Sequence, residues 1–146
     1  MSKRLELDRF LPYRLSVTSN LVSDRIARAY EALFGLTIPE WRLVAVIAEA
    51  KAITQAEIGE RTWMDKVTVS RAAIALVERG LLSRTANPAD KRSHHLSLTD
   101  AGRDLYAAIA PKALELESRI FASFSKTELD GFVTLLQRID AAVMNT

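Results

Sequence analysis

Six consecutive residues, Lys66-Val67-Thr68-Val69-Ser70-Arg71, combine two cations, two hydroxyls and an exposed methyl surface within one and a half helical turns. Such a set suits the non-covalent reading of a polyanion. A forked guanidinium at Arg71 can donate twice to guanine O6 and N7, and Val67 can pack on a thymine methyl. Lys66, Thr68 and Ser70 can hold phosphates, helped by the amides of a helix start. A second basic group follows at Arg84, Lys91 and Arg92, with Asp90 two residues before Arg92. A thin basic finger can enter a minor groove, whose negative potential is deepest where the groove is narrow. Asp90 is placed to pin the Arg92 side chain.

The face that Arg71 presents depends on the helix carrying it. With Val69 at the centre of the buried side, 100° per residue puts Ala73 and Leu76 beside it and Ala72 and Val77 at the margins. Val67, Arg71, Ile74, Ala75 and Glu78 then face away, with Thr68 and Ser70 on the flanks. Asp65 caps this helix and Gly80 stops it. Before it, Thr54-Gln55-Ala56-Glu57 is a capping box opening a short helix that ends near Thr62. Two short helices with a tight connection form a helix-turn-helix. After it, Leu81 to Thr85 and His94 to Leu98 read as the strands of a hairpin with a polar, proline-containing tip.

The remaining chain is helical. Residues 9–34 carry Phe10, Leu11, Leu15, Leu21, Val22, Ile26 and Leu33 at roughly helical spacing, and Gly35 ends the run. Thr37-Ile38-Pro39-Glu40 starts an apolar helix from Trp41 to Ala50, followed by an extended link at Lys51-Ala52-Ile53. Thr99 caps a helix to about Ser123, with Pro111 inside it, and Ser125-Lys126-Thr127-Glu128 is a second capping box before a last helix. The fold expected is mainly α with a small β part (α+β).

Charge agrees with a polyanion partner. The 146 residues carry +2 in all, but between Arg61 and Ser93 seven cations face three anions, leaving a net −2 elsewhere. The absence of cysteine excludes disulfides, thiolate metal sites and thiol redox sensing. No apolar run suits a signal peptide or a membrane span, so the expected location is the cytoplasm. No glycine-rich phosphate loop and no nucleophile–base pattern are present, so no enzyme and no cofactor are expected. His94 and His95 are adjacent on a strand and point to opposite faces, which argues against a shared metal and for one inward and one outward ring.

In order, Val67-Thr68-Val69-Ser70-Arg71, Leu76-Val77-Glu78-Arg79-Gly80-Leu81-Leu82, Asp90-Lys91-Arg92 and Leu96-Ser97-Leu98-Thr99-Asp100-Ala101-Gly102 closely resemble the MarR family of bacterial transcription regulators. The resemblance is specific from about Thr54 to Gly102 and architectural in the terminal helices. It implies a homodimeric winged helix-turn-helix with N- and C-terminal dimerisation helices, bound to double-stranded DNA at a pseudopalindromic operator. By position it assigns Lys66 to Arg71 to the recognition helix and Asp90 and Arg92 to the wing tip, Arg92 being the minor-groove residue. It further implies a repressor released by a small aromatic or phenolic ligand, held between the dimerisation helices and the DNA-binding lobe. The corresponding division is 1–36, 37–99 and 100–146.

Two expectations extend this reading. The last helix offers Leu129, Phe132, Val133, Leu135, Leu136, Ile139 and Val143, more apolar surface than one stripe needs, which suits pairing with a second chain. Tyr13, Ser16 and Asn20 form a polar stripe at i, i+3 and i+7; with Trp41 they are the candidate effector pocket, although the stripe facing solvent and Trp41 in the core explain the same residues. The alternative function is a winged helix used for protein–protein contact without DNA sequence specificity, since a fold alone does not fix function.

Overall fold

Side-chain caps delimit most of the helices. The computed structural model describes residues 3–146, and three capping boxes set helix starts within them. They are Thr37–Glu40 before α2 (Ile38–Ala50), Thr54–Glu57 before α3 (Gln55–Thr62) and Ser125–Glu128 before α6 (Lys126–Met144). In each, the hydroxyl accepts the N3 amide while the glutamate accepts the N-cap amide, satisfying two otherwise orphaned donors. α1 (Leu11–Phe34) follows a 3-10 turn at Leu7–Arg9 and ends at Gly35 with φ 62°. α4 (Lys66–Glu78) starts at Asp65, and Gly80 follows it with φ 73°. α5 (Asp100–Ile120) runs through Pro111 and ends three residues before the expected Ser123.

The sheet has three antiparallel strands in the order β1-β3-β2, with β1 at Ile53–Thr54, β2 at Leu82–Ala86 and β3 at His94–Leu98. β2 pairs with β3 from Leu82↔Leu98 to Ala86↔His94, and β1 adds Ile53↔Leu96 and Thr54↔His95. Leu96 and Leu98 face the core, whereas His94 is exposed and His95 half-buried. The expected inward histidine is therefore absent. His94 shares the face of Leu96 and Leu98 but lies at the end of the strand, where the hairpin has already left the core.

By compactness the chain divides at Pro111 into units 1–110 and 111–146. The first contains a core of Leu36, Leu43, Val44, Ile47, Ile58, Val69, Leu76, Leu82, Leu96 and Ile109. Each such buried aliphatic contributes about 1.5–3 kcal/mol relative to exposure. Ala72 and Ala73 are also buried on α4, and their small size lets that helix lie close to α2 and α3.

The link after α2 departs from expectation at its first residue. Lys51 takes φ 69° and ψ −52°, and the Ala52 amide donates to the Ala50 carbonyl at 2.9 Å. This is a γ-turn of the rare, strained hand, and extended backbone begins only at Ile53. Residue spacing does not reveal such a turn, because lysine carries no preference for it.

One junction joins α4, the hairpin and α5. The Thr99 hydroxyl donates to the Gly80 carbonyl at 2.6 Å and accepts the Gly102 amide at 3.1 Å, while the Thr99 amide donates to the Leu81 carbonyl at 3.1 Å. Gly102 is buried, and a Cβ there would collide with the Leu81 carbonyl oxygen, a backbone atom that cannot swing aside. Gly102→Ala should therefore destabilise the protein by about 1–3 kcal/mol. A urea midpoint unchanged from the parent would show that the junction gives way freely.

Candidate nucleic-acid interface

α4 presents the predicted face. Val69, Ala72, Ala73 and Leu76 are buried, with Val77 half-buried at the margin. Lys66, Val67 and Arg71 are exposed and Thr68 and Ser70 half-exposed, so all five candidate recognition residues share the open side of the first two turns. Val67 is 58% exposed, an unusual position for an apolar residue that the core does not need. Ile74, one turn beyond Arg71, is exposed as well.

Asp65 fixes where this face begins. Its carboxylate accepts the Thr68 amide at 2.8 Å. That hydrogen bond, with smaller help from the Thr68 hydroxyl, the Val67 amide and the Arg71 charge, holds the Asp65 carboxyl below its ordinary 3.8. The amides near the start of α4 are thus partly occupied by a residue of the chain itself, leaving phosphate contact chiefly to side chains.

The wing is the β2–β3 hairpin. Ser83 and Ser97 hydroxyls pair across it at 3.1 Å. At its tip the Asn87 side chain donates to the Ser93 hydroxyl at 3.0 Å and accepts the Ala89 amide at 3.0 Å. Asp90 accepts the Arg92 backbone amide at 2.9 Å. The expectation that Asp90 pins the Arg92 side chain is thereby corrected. Asp90 shapes the turn through the backbone, a local bond its short side chain makes readily. Arg84, Asp90, Lys91 and Arg92 are all exposed, and among the described residues none of the three cations is in an ion pair.

Two cations of the basic stretch have other partners. Arg61 pairs with Glu49, and Arg79 donates to the carbonyls of Gly35 at 3.1 Å and Phe34 at 3.4 Å. Arg79 thus closes the end of α1. The cations left for a polyanion are Lys66, Arg71, Arg84, Lys91 and Arg92.

The effector candidates do not converge within one chain. Trp41 stacks on Tyr106 with ring centroids 6.1 Å apart and tilts against Tyr30 at 5.4 Å. Tyr30 is buried, which pushes its hydroxyl above the ordinary phenol range. Tyr13, Ser16 and Asn20 lie exposed on the first half of α1. Asn20, the nearest of them, precedes Tyr30 by ten residues, about 15 Å of helix. The structure instead places a cavity of about 570 Å³ nearby, lined by Ile47, Ala48, Lys51, Leu98, Arg103 and Tyr106. Residue spacing alone could not have found it, because its walls come from the end of α2, the end of β3 and the start of α5. Among the described residues no three metal-ligating side chains converge, and no helix is long and apolar enough to cross a membrane.

Comparison with known proteins agrees with this geometry. The MarR family model matches residues 34–93. The transcriptional regulator HosA of Escherichia coli O157:H7 is 29% identical over 126 residues, covering 86% of this chain and 90% of its own. The crystal structure of a MarR/EmrR family regulator from Acinetobacter sp. ADP1 superposes with a TM-score of 0.89 at 26% identity, covering 97% of this chain and all of the other. Bordetella bronchiseptica BpsR, whose DNA binding is regulated by 6-hydroxynicotinic acid, shares the fold with a TM-score of 0.85 at 20% identity, covering 94% of this chain and 98% of its own.

The Asp65 cap makes a pH-dependent prediction. Because its folded pKa lies below the unfolded value, its contribution is present above about pH 3.8 and is lost as pH falls through the folded pKa. Asp65→Ala should be less stable than the parent at neutral pH, and the gap should close in strong acid. Denaturant titrations from pH 7 to pH 2.5 check this; a gap independent of pH would rule out the carboxylate as its source.

Proposed function

The chain belongs to the MarR family of DNA-binding winged-helix transcription regulators, and from that premise we propose that it is a homodimeric repressor of a pseudopalindromic operator, released by a small aromatic anion. The observation carrying the DNA contact is the joint exposure of Lys66, Val67, Thr68, Ser70 and Arg71 at one end of α4, with Arg84, Lys91 and Arg92 exposed on the wing. In this reading Arg71 reads a guanine, Val67 touches a thymine methyl, and Lys66, Thr68 and Ser70 hold phosphates. Arg92, presented by the Asp90 turn, enters the adjoining minor groove with Lys91 and Arg84 on its rims.

Exposed apolar residues on the terminal helices support the dimer. Phe10, Leu11, Leu15 and Leu21 on or beside α1, and Phe132, Val133, Leu135, Ile139 and Val143 on α6, are all more than a third exposed. No residue of α6 is buried. A helix of this composition needs a second surface. Pairing two chains through 1–36 and 100–146 leaves the lobe 37–99 of each for one half-site.

The ligand reading moves to the cavity lined by Lys51, Arg103 and Tyr106, with Trp41 stacked on Tyr106. Its volume falls in the usual range for small-molecule sites. Tyr106 supplies an aromatic wall, Ile47, Ala48 and Leu98 an apolar floor, and Lys51 an exposed cation. Arg103 is already held by the Leu98 carbonyl and the Asp100 carboxylate, so Lys51 is the principal anion partner. A ligand held there bears on the Lys51 turn, which leads directly through β1 into α3.

Selection of bound sequences from a random duplex pool tests the function. The expected product is an inverted repeat with half-sites about one DNA turn, roughly 34 Å, apart. Affinity should fall with rising salt. Arg71→Ala should lose about 1–3 kcal/mol and relax one base position, while Arg92→Ala weakens binding with less effect on major-groove choice. Recovery of no preferred sequence, or affinity indifferent to salt, would favour a winged helix that contacts protein.

The ligand is tested separately with benzoate and 6-hydroxynicotinate. At least one should weaken binding to the selected duplex, and Lys51→Gly, which suits the positive φ, should raise the concentration needed by about tenfold. Equal response in parent and variant would remove the cavity from the reading.

A further inference from the structure

Trp63 is not explained by the fold. It closes α3 in the left-handed conformation, φ 60° and ψ 16°, with its amide donating to the Gly59 carbonyl at 2.8 Å. Glycine suits such a position, and a residue with a bulky side chain is strongly disfavoured there. Burial does not offset the strain, because Trp63 is 77% exposed. Among the described residues its ring pairs with no other aromatic.

The backbone on either side is held in place. The Thr62 hydroxyl donates to the Ile58 carbonyl at 2.7 Å and accepts the Met64 amide at 3.3 Å, and Asp65 caps α4. The indole is therefore presented outward from a fixed turn, three residues before Lys66. Three residues span at most about 10 Å, whereas the major groove is about 12 Å wide. With the start of α4 in the groove, the turn lies within reach of the flanking sugar–phosphate backbone.

We propose that Trp63 anchors the protein to the DNA backbone beside the recognition helix, its ring packing on deoxyribose and its Nε1–H donating to a phosphate oxygen. This rests on the DNA-binding reading above and adds a contact outside α4 and the wing. The donor is neutral, so it releases no counterion and leaves the salt dependence of binding unchanged. A contact to the backbone carries no base preference.

Trp63→Gly and Trp63→Asn test the anchor, since both residues accept the left-handed conformation. Melting temperatures should equal or exceed the parent's. Affinity should fall about tenfold both for the selected duplex and for a scrambled duplex of the same length, with an unchanged salt slope. In a nitrogen–proton NMR spectrum the indole signal missing from Trp63→Gly identifies Trp63; in the parent that signal should shift on adding duplex. Parent-like affinity of both variants, or an unmoved indole signal at saturating duplex, overturns the anchor and leaves the regulator intact. A loss confined to the selected duplex would make Trp63 a reader of bases and overturn the backbone role. A parent that binds neither duplex removes the DNA reading and the anchor together.

Discussion

The spatial relation of recognition helix to wing depends on the Thr99 hydroxyl. It donates to the carbonyl of Gly80, just past α4, and accepts from Gly102 in the first turn of α5. The Thr99 backbone meanwhile bonds Leu81 at the root of β2. The Leu81 amide also donates to the Leu76 carbonyl at 2.9 Å across the Gly80 turn, but glycine is the residue least able to hold an angle, and the Thr99 bonds reinforce that link from α5. Two elements proposed to enter adjacent grooves need a fixed separation. A hydroxyl that donates and accepts at once supplies it in the space of one side chain. Gly102 follows from the same demand, since anything larger would push α5 away from Leu81.

Electrostatics then acts on what the scaffold leaves free. Arg79 and Arg61 lie within the basic stretch, yet one closes α1 and the other faces Glu49. Counting charge along the sequence treats all seven cations alike. The structure separates two with other partners from five whose charge remains open to solvent. Those five lie at the start of α4 and on the hairpin, so the positive field is concentrated where grooves would be. Long-range attraction brings a polyanion to that side, and the junction at Thr99 determines which groups then meet it.

Much of this was legible in the sequence because it is local. Capping boxes at Thr54 and Ser125, the Asp65 cap, the glycine stops and the buried face of α4 all depend on residues within a turn or two of each other. The two hairpin strands followed from the same short-range pattern, with β2 displaced by one residue from the expected Leu81–Thr85. What was not legible depends on backbone conformation or on partners distant in sequence. Periodicity reports which face of α1 is apolar, but not that Trp41 meets this helix at Tyr30 rather than near Asn20. An aspartate two residues before an arginine can bond its side chain or its amide, and spacing does not distinguish them. The positive φ at Lys51, within the expected extended link, and at Trp63 was hidden because neither residue type signals it.

Those two strained residues bracket α3. Lys51 precedes it by way of β1, and Trp63 ends it. The eight residues of α3 span about 12 Å. Every other positive φ among the described residues belongs to glycine, so the strain is confined to one short segment. That segment borders the cavity at one end and the recognition helix at the other. A stretch carrying positive-φ strain at both ends has less far to climb toward a second arrangement than one held at its minimum. A ligand needs only a modest difference in affinity between two such arrangements to shift their populations. In the reading proposed above, α3 is the physical link between an anion at Lys51 and a duplex at α4: its caps keep it intact as a helix while its ends hold the strain.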